Sequence, residues 1–244
     1  MSENTSQGRV AVITGASSGI GAATARALAA EGYTVALLAR RLDRIEALAA
    51  EVGNGAIAIQ ADVTDRDQLV AAAGRVRDEL GGADVLVNNA GVMLLGPFSS
   101  ERRDDYRTMI EANLLGAITV TEVFLEQLTG GGGDVINISS VAGRTARAGN
   151  GVYAATKWGI NGWSEALRQE LLPNVRVTLI EPGIVDTDLP THITDAATRE
   201  VIQAAYDVAP VKPEEVAEII AFVLARPRHV VINEVLLRPA DQLG

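Results

Sequence analysis

Short runs of β-branched and aliphatic residues recur along the chain, and longer stretches rich in alanine and leucine follow them with helical spacing. The strand-like runs fall at 10–14, 34–39, 56–60, 84–88, 134–139, 176–181 and 230–237. Most are apolar at successive positions, the pattern of strands covered on both faces by helices. The helical stretches cover 20–30, 42–51, 65–80, 103–128, 152–171, 194–206 and 214–225. Pro213 followed by Glu214 and Glu215 marks a helix start, because proline suits the first turn and carboxylates suit the positive end of the helix dipole. This alternation predicts an α/β fold with right-handed crossovers and one doubly wound parallel sheet. The run Gly130-Gly131-Gly132-Gly133 reads as a flexible connection between a helix and a strand.

Composition narrows the picture. The 244 residues are 48% hydrophobic and 21% charged, which suits one α/β domain spanning 1–244. A net charge of -10 argues against a nucleic-acid partner, since a phosphate backbone would be repelled. The chain has no cysteine, which excludes disulfides, thiolate metal sites and cysteine nucleophiles and is compatible with the cytoplasm. The polar start MSENTSQG is not expected to be a signal peptide, and no apolar run is expected to cross a bilayer. His192 and His229 lie far apart with no ligand spacing, so no metal site is expected.

The first strand runs into Gly15-Ala16-Ser17-Ser18-Gly19-Ile20-Gly21, and a helix follows. Strand, glycine turn and helix start form the context of a dinucleotide site. Gly15 permits the tight turn, while Gly19 and Gly21 allow close approach of backbone to a diphosphate. The helix N-terminus presents amides to phosphate, and Ser17 and Ser18 add hydroxyl donors. This makes the fold Rossmann-type, with about seven strands and helices on both faces. The second strand ends Ala39-Arg40-Arg41, where an NAD enzyme usually carries a carboxylate for the adenosine ribose. Two guanidiniums there favour NADP(H), with Arg40 on the 2′-phosphate and Arg41 against the adenine. Asp62 and Val63 end the third strand and are placed for the adenine. Asn89, Ala90 and Gly91 follow the fourth, where small residues let the backbone pass close to the cofactor.

The reactive candidates are Tyr153 and Lys157, four residues apart and on one helix face, with the hydroxyl of Ser140 upstream. A phenol ionises near pH ~10, and a neighbouring cation is expected to draw it toward neutrality. Hydride delivery builds negative charge on a carbonyl oxygen. Two converging hydroxyl donors stabilise it, and one of them can pass a proton. Read alone, Tyr153 and Lys157 would also suit a helix with one aromatic anchor and one solvated lysine.

Together these motifs resemble the classical short-chain dehydrogenase/reductase family, over nearly the whole chain. The family patterns stand here as Thr14 to Gly21, Asn88-Asn89-Ala90-Gly91, Asn113 within a helix, Ser140, Tyr153 with Lys157, and Pro182-Gly183 with Thr187. The alanine-arginine end of the second strand looks like the NADP-preferring branch. The resemblance implies that Tyr153 is the general acid in carbonyl reduction and the base in alcohol oxidation, and that Ser140 polarises the substrate oxygen. It implies that Lys157 binds the nicotinamide ribose and lowers the Tyr153 pKa, and that Asn113 holds a relay water. Thr187 and the backbone at Ile184 and Val185 would bind the carboxamide, and the pro-S hydride would be transferred. The family is usually tetrameric, through the helices carrying Asn113 and Tyr153 and a second interface near the C-terminus. Gly159 and Gly162 would permit close helix contact between subunits or within one.

Substrate-facing candidates include Met93, Leu94, Leu95, Val141, Ala142, Arg144, Arg147, Asn150, Leu189 and His192, with 189–210 as a lid. The apolar ones would form a wall or be ordinary packing, and the arginines would meet a substrate carboxylate or be solvated. Three stretches (92–97, 192–194 and 238–242) look like the clavulanate dehydrogenase group of NADPH-dependent aldehyde reductases from antibiotic pathways. General NADP-linked dehydrogenases of 3-hydroxy acids and alcohols share the same stretches. A non-catalytic NADP-binding regulator would have no need for Asn113, Ser140, Tyr153 and Lys157 together. Nucleotide-sugar epimerases on this fold usually carry an added substrate domain.

Overall fold

The computed structural model describes residues 8–206 and 209–242. Seven parallel strands form one sheet in the order β3-β2-β1-β4-β5-β6-β7. They are β1 (Val10–Thr14), β2 (Thr34–Ala39), β3 (Ile57–Gln60), β4 (Val85–Asn88), β5 (Asp134–Ile138), β6 (Arg176–Pro182) and β7 (Glu234–Leu237). The helices are α1 (Gly19–Ala30), α2 (Leu42–Val52), α3 (Arg66–Leu80), α4 (Arg103–Met109), α5 (Gly116–Thr129), α6 (Gly151–Leu171), α7 (Ala196–Ala205) and α8 (Pro213–Leu224). Strand order reverses direction between β1 and β4, and such a switch point opens a crevice beyond the strand C-termini.

The doubly apolar strands do what their pattern demands. On one face Ile13, Leu37 and Val87 meet Leu28 of α1, Ile45 of α2 and Ile220 of α8. On the other, Val12, Leu38 and Leu86 meet Leu69 of α3 and Phe124 and Leu128 of α5. Phe124, Leu69 and Leu86 have no exposed surface. Burial of such side chains contributes about 1.5–3 kcal/mol each.

At the N-terminal ends of the strands one carboxylate gathers three guanidiniums. Asp134 accepts from Arg176 at 2.5 Å, Arg9 at 2.7 Å and Arg228 at 3.0 Å. Arg176 also donates to the carbonyls of Leu224, Arg226 and Val230.

Three elements depart from the sequence reading. The predicted strand 230–237 pairs only over Glu234–Leu237, because Arg176 and the hydroxyl of Thr178 take the carbonyls of Val230 and Ile232. The predicted helix 194–206 begins at Ala196, where Asp195 caps it through Thr198. The predicted helix 103–128 is interrupted by π turns over Ile110–Leu115, with the amide of Gly116 reaching Glu111. The whole helical run Ser100–Thr129 is, by length and composition, apolar enough to cross a bilayer, contrary to expectation. Val120, Phe124 and Leu128 are fully buried in the core, which accounts for the apolar character of this run.

Candidate active site

A cavity of about 560 Å³ opens along the C-terminal ends of β1 to β6. Its lining joins residues that are far apart in sequence. Gly15, Ser17, Ser18, Gly19 and Ile20 follow β1, and Arg40 and Arg41 follow β2. Asp62 and Val63 follow β3, and Asn89, Ala90 and Gly91 follow β4. Ser140, Tyr153, Lys157, Pro182, Gly183, Val185, Thr187, Leu189 and His192 complete it.

The glycine turn is built for close contact. A Cβ on Gly21 would stand 2.5 Å from both the Gly15 carbonyl oxygen and Asn89 Nδ2, so no larger residue fits. Asn89 Nδ2 donates to the carbonyls of Thr14 and Gly15, and the Thr14 hydroxyl accepts from the amides of Asn89 and Ala90. Asn89 therefore holds the turn in shape, a supporting role that its motif alone did not distinguish from direct contact. Ser18 precedes α1 without capping it, so the first turn of α1 faces the cavity with no side-chain acceptor from Ser18. This cradle, the arginine pair beside it and the cavity's extent fit a dinucleotide.

Arg41 spans the mouth of the turn, donating to Ser17 Oγ at 3.1 and 2.8 Å and to Ser18 Oγ at 2.8 Å. It thus sits on the glycine turn rather than extending away from it, while Arg40 lies exposed at the cavity edge. Asp62 Oδ1 accepts from the amide and hydroxyl of Thr64, which fixes its carboxylate at the same end. His192 lines this cavity too. Burial and the charges of Arg40 and Arg41 hold its imidazole below the ordinary range. It thus lines the cavity where the charges of the arginine pair reach it.

At the other end, Tyr153 and Lys157 are both buried, on consecutive turns of α6. The Ser140 hydroxyl lies near enough to the Tyr153 phenol to favour its ionised form, and the Lys157 ammonium lies 5.8 Å from the Tyr153 ring centre. Burial pushes the Tyr153 phenol up to about 12, against the smaller effect of Ser140. The expectation that Lys157 draws this phenol toward neutrality is not met, because removal from water raises it and Lys157 is not among the groups that shift it. Burial likewise brings Lys157 down to about 8. Ser140 Oγ accepts from the Ala142 amide at 3.1 Å, which fixes the turn after β5. Ser139 points elsewhere, donating to Asn161 Oδ1 at 2.6 Å.

Asn113 lies within the π turns and is buried. Its Oδ1 accepts from the Val92 amide at 2.7 Å, and its Nδ2 donates to the Val92 carbonyl at 2.9 Å. The side chain thus clasps the loop after β4. The Ile184 amide donates to Gln242 Oε1 at 2.9 Å, and Thr187 Oγ1 accepts from the Leu189 amide at 3.3 Å.

Met93 and Leu94 do not line the cavity. They pack in an apolar cluster with Leu95, Met109, Ala142, Tyr153 and Ile193, joined by Tyr106, Leu189 and Ile202. Tyr106, Met109 and Ile202 were not singled out in the sequence. Nor was Tyr206, a phenol that lines the cavity. Their only signal was helical spacing in segments already read as helices. Arg144, a candidate for a substrate carboxylate, is bound to Glu181 and Glu234 instead. Among the described residues no cluster of three or more histidine, aspartate or glutamate side chains is arranged to hold a metal.

Residues 9–198 match the family described as short chain dehydrogenase. The chain belongs to that family. It is an oxidoreductase acting on CH–OH and carbonyl groups. A serine 3-dehydrogenase of Agrobacterium fabrum is 38% identical, over 95% of this chain and 94% of that one. An uncharacterized oxidoreductase of Staphylococcus saprophyticus is 36% identical over 98% and 99%. Among solved structures, the closed form of a serine dehydrogenase complexed with NADP+ superposes with a TM-score of 0.89 at 32% identity, covering 96% of each chain.

Proposed function

We propose that this protein is an NADPH-dependent carbonyl reductase whose substrate carries an apolar group next to the carbonyl. The observation that carries the reading is that Ser140 and Tyr153 line one cleft with Leu189, and that the apolar cluster of Met93, Leu95 and Ile193 packs against Tyr153 from behind. Bound NADPH would supply a hydride. Arg40 would hold its 2′-phosphate, with Arg41 beside the adenine end, and the glycine turn Gly15 to Gly21 its diphosphate, as the NADP-bound solved relative supports. Ser140 donates a hydrogen bond to the carbonyl oxygen. Tyr153, with its phenol at about 12, stays protonated across neutral pH and gives its proton to the developing alkoxide. The Lys157 ammonium stands beside the phenolate left behind. In alcohol oxidation the same proton path runs backward.

The apolar surroundings of Tyr153 favour an aldehyde or ketone over a polar 3-hydroxy acid such as serine, and suit a clavulanate dehydrogenase-like biosynthetic role. A general NADP-linked 3-hydroxy acid or alcohol dehydrogenase is the second reading, favoured by the identity to serine 3-dehydrogenase. We place the protein in the cytoplasm as one domain with a lid over 189–210, of which 207–208 lie outside the described residues. We place it as a homotetramer. Ile110, Leu115 and Trp158 stand half-exposed on the Asn113 and Tyr153 helices, and Phe222 and Leu236 do so near the C-terminus. Gly159 packs against Leu114 of its own chain, whereas Gly162 faces open space.

The test is NADPH and NADH oxidation against aldehydes, ketones, 3-oxo esters and, in reverse, serine. Tyr153→Phe should keep NADPH binding and lose turnover by about a hundredfold or more. Undiminished turnover in that variant would sink the mechanism, and a preference for serine would favour the second reading.

A further inference from the structure

Asn161 lies one helical turn beyond Lys157 and two beyond Tyr153 on α6, outside the cavity. Its amide is fully used. Oδ1 accepts from Ser139 Oγ at 2.6 Å, and Nδ2 donates to the Gly143 carbonyl at 3.1 Å and to Glu181 Oε1 at 2.6 Å. Ser139 precedes Ser140 in the chain, and Gly143 closes the turn that Ser140 opens. Both flanks of Ser140 are therefore held by one side chain of the helix that carries Tyr153. The seat is tight, since a Cβ on Gly143 would stand 2.7 Å from Nδ2.

The amide is itself held. Glu181 on β6 is 1% exposed, and Arg144 grips both its oxygens at 2.8 and 2.9 Å. Arg144 also pairs with Glu234 of β7. A buried carboxylate is costly unless it is paired and hydrogen-bonded, and here both conditions are met without any contact with the cavity. The assembly joins the turn after β5 to α6, the two elements that bring Ser140 and Tyr153 to one oxygen.

We infer that Asn161, braced by Glu181 and Arg144, is a positioning residue that sets the Ser140 hydroxyl against the Tyr153 hydroxyl. The inference rests on the reductase reading above. Misplacing one of two converging donors by a fraction of an ångström weakens catalysis without touching the cofactor cradle. A double-mutant cycle separates this role from general support of the fold.

Wild type, Asn161→Leu, Ser140→Ala and the double variant would be compared for kcat, carbonyl KM and the NADPH Kd by fluorescence. Asn161→Leu should lower kcat about tenfold or more, leave the NADPH Kd within about twofold, and cost under about twofold further once Ser140 is alanine. An equal fall in both backgrounds, a fall under about twofold in the single variant, or parallel weakening of NADPH would overturn the inference. Should Asn161→Leu not fold, Asn161→Ser enters the same cycle, since its hydroxyl can satisfy at most part of the set. Wild type that reduces no carbonyl would overturn the functional reading and this inference with it. An active wild type with an additive cycle would overturn this inference alone.

Discussion

Lys157 donates from Nζ to the main-chain carbonyl of Ile138 at 2.9 Å, so the direct partner of this buried ammonium is a dipole rather than a carboxylate. Burial is accordingly what moves its pKa, from 10.5 down to about 8. Below that value the ammonium is charged in both folded and unfolded chains, and the penalty for burying it is fully present. Between about pH 8 and pH 10.4 the unfolded chain binds more protons, so stability rises with pH. Lys157→Met is expected to unfold at higher denaturant than wild type at pH 7, by about 3 kcal/mol, with the gap closing by about pH 10. Denaturation of both proteins at the two pH values checks this, and a gap that does not change with pH would contradict it.

The two arginines after β2 are expected to differ in kind. Arg41 is tied to the serines of the glycine turn, so Arg41→Ala should weaken NADPH and NADH alike. Arg40 makes no such link to the turn in the structure, so Arg40→Asp should weaken NADPH by about tenfold or more while leaving NADH nearly unchanged. Fluorescence titration of each variant with each cofactor decides it. An equal loss for both cofactors in Arg40→Asp would remove Arg40 from the 2′-phosphate site.

Gly21→Ala forces a methyl against the Gly15 carbonyl oxygen, a main-chain atom that cannot rotate away. Overpacking of this kind costs about 1–3 kcal/mol, and the shifted turn should lose most of its dinucleotide affinity. Thermal unfolding with and without NADPH reads both effects. A variant as stable as wild type and still stabilised by NADPH would show that the turn yields more easily than its geometry implies.

Asp134→Asn leaves three guanidiniums around a neutral amide at the buried end of β5. Removing one partner of a buried charge set costs about 3–5 kcal/mol. Because the cluster lies at the strand ends opposite the cavity, kcat measured well below the unfolding transition should stay close to wild type. A large fall in kcat with unchanged stability would contradict this separation.

The parallel sheet was legible because seven runs are apolar on both faces, a pattern few other architectures require. The catalytic candidates were legible because Tyr153, Lys157 and the glycine turn occupy fixed local spacings. What escaped were relations across distance. Nothing in the spacing of Arg144 shows that Glu181 and Glu234 claim it, and nothing near Asn161 shows that it joins α6 to the turn after β5 and to β6. His192 was read from its place in the chain, whereas the reach of the Arg40 and Arg41 charges to it depends on the folded structure. The phenol acidity of Tyr153 was misjudged for a related reason. A neighbouring lysine can be read from sequence, but the burial of the phenol cannot.

The anchoring of β5 and β6 through Asp134 and Arg176 lies at one edge of the molecule, and the segments closest to Tyr153 lie at the other. Those segments, 92–97 and 189–206, insert between strands without contributing to any of them. Innovation and inheritance are thus kept apart in space. A breeder of new selectivities could recombine the two segments between distant cousins of this chain while the lower half of the sheet stays untouched.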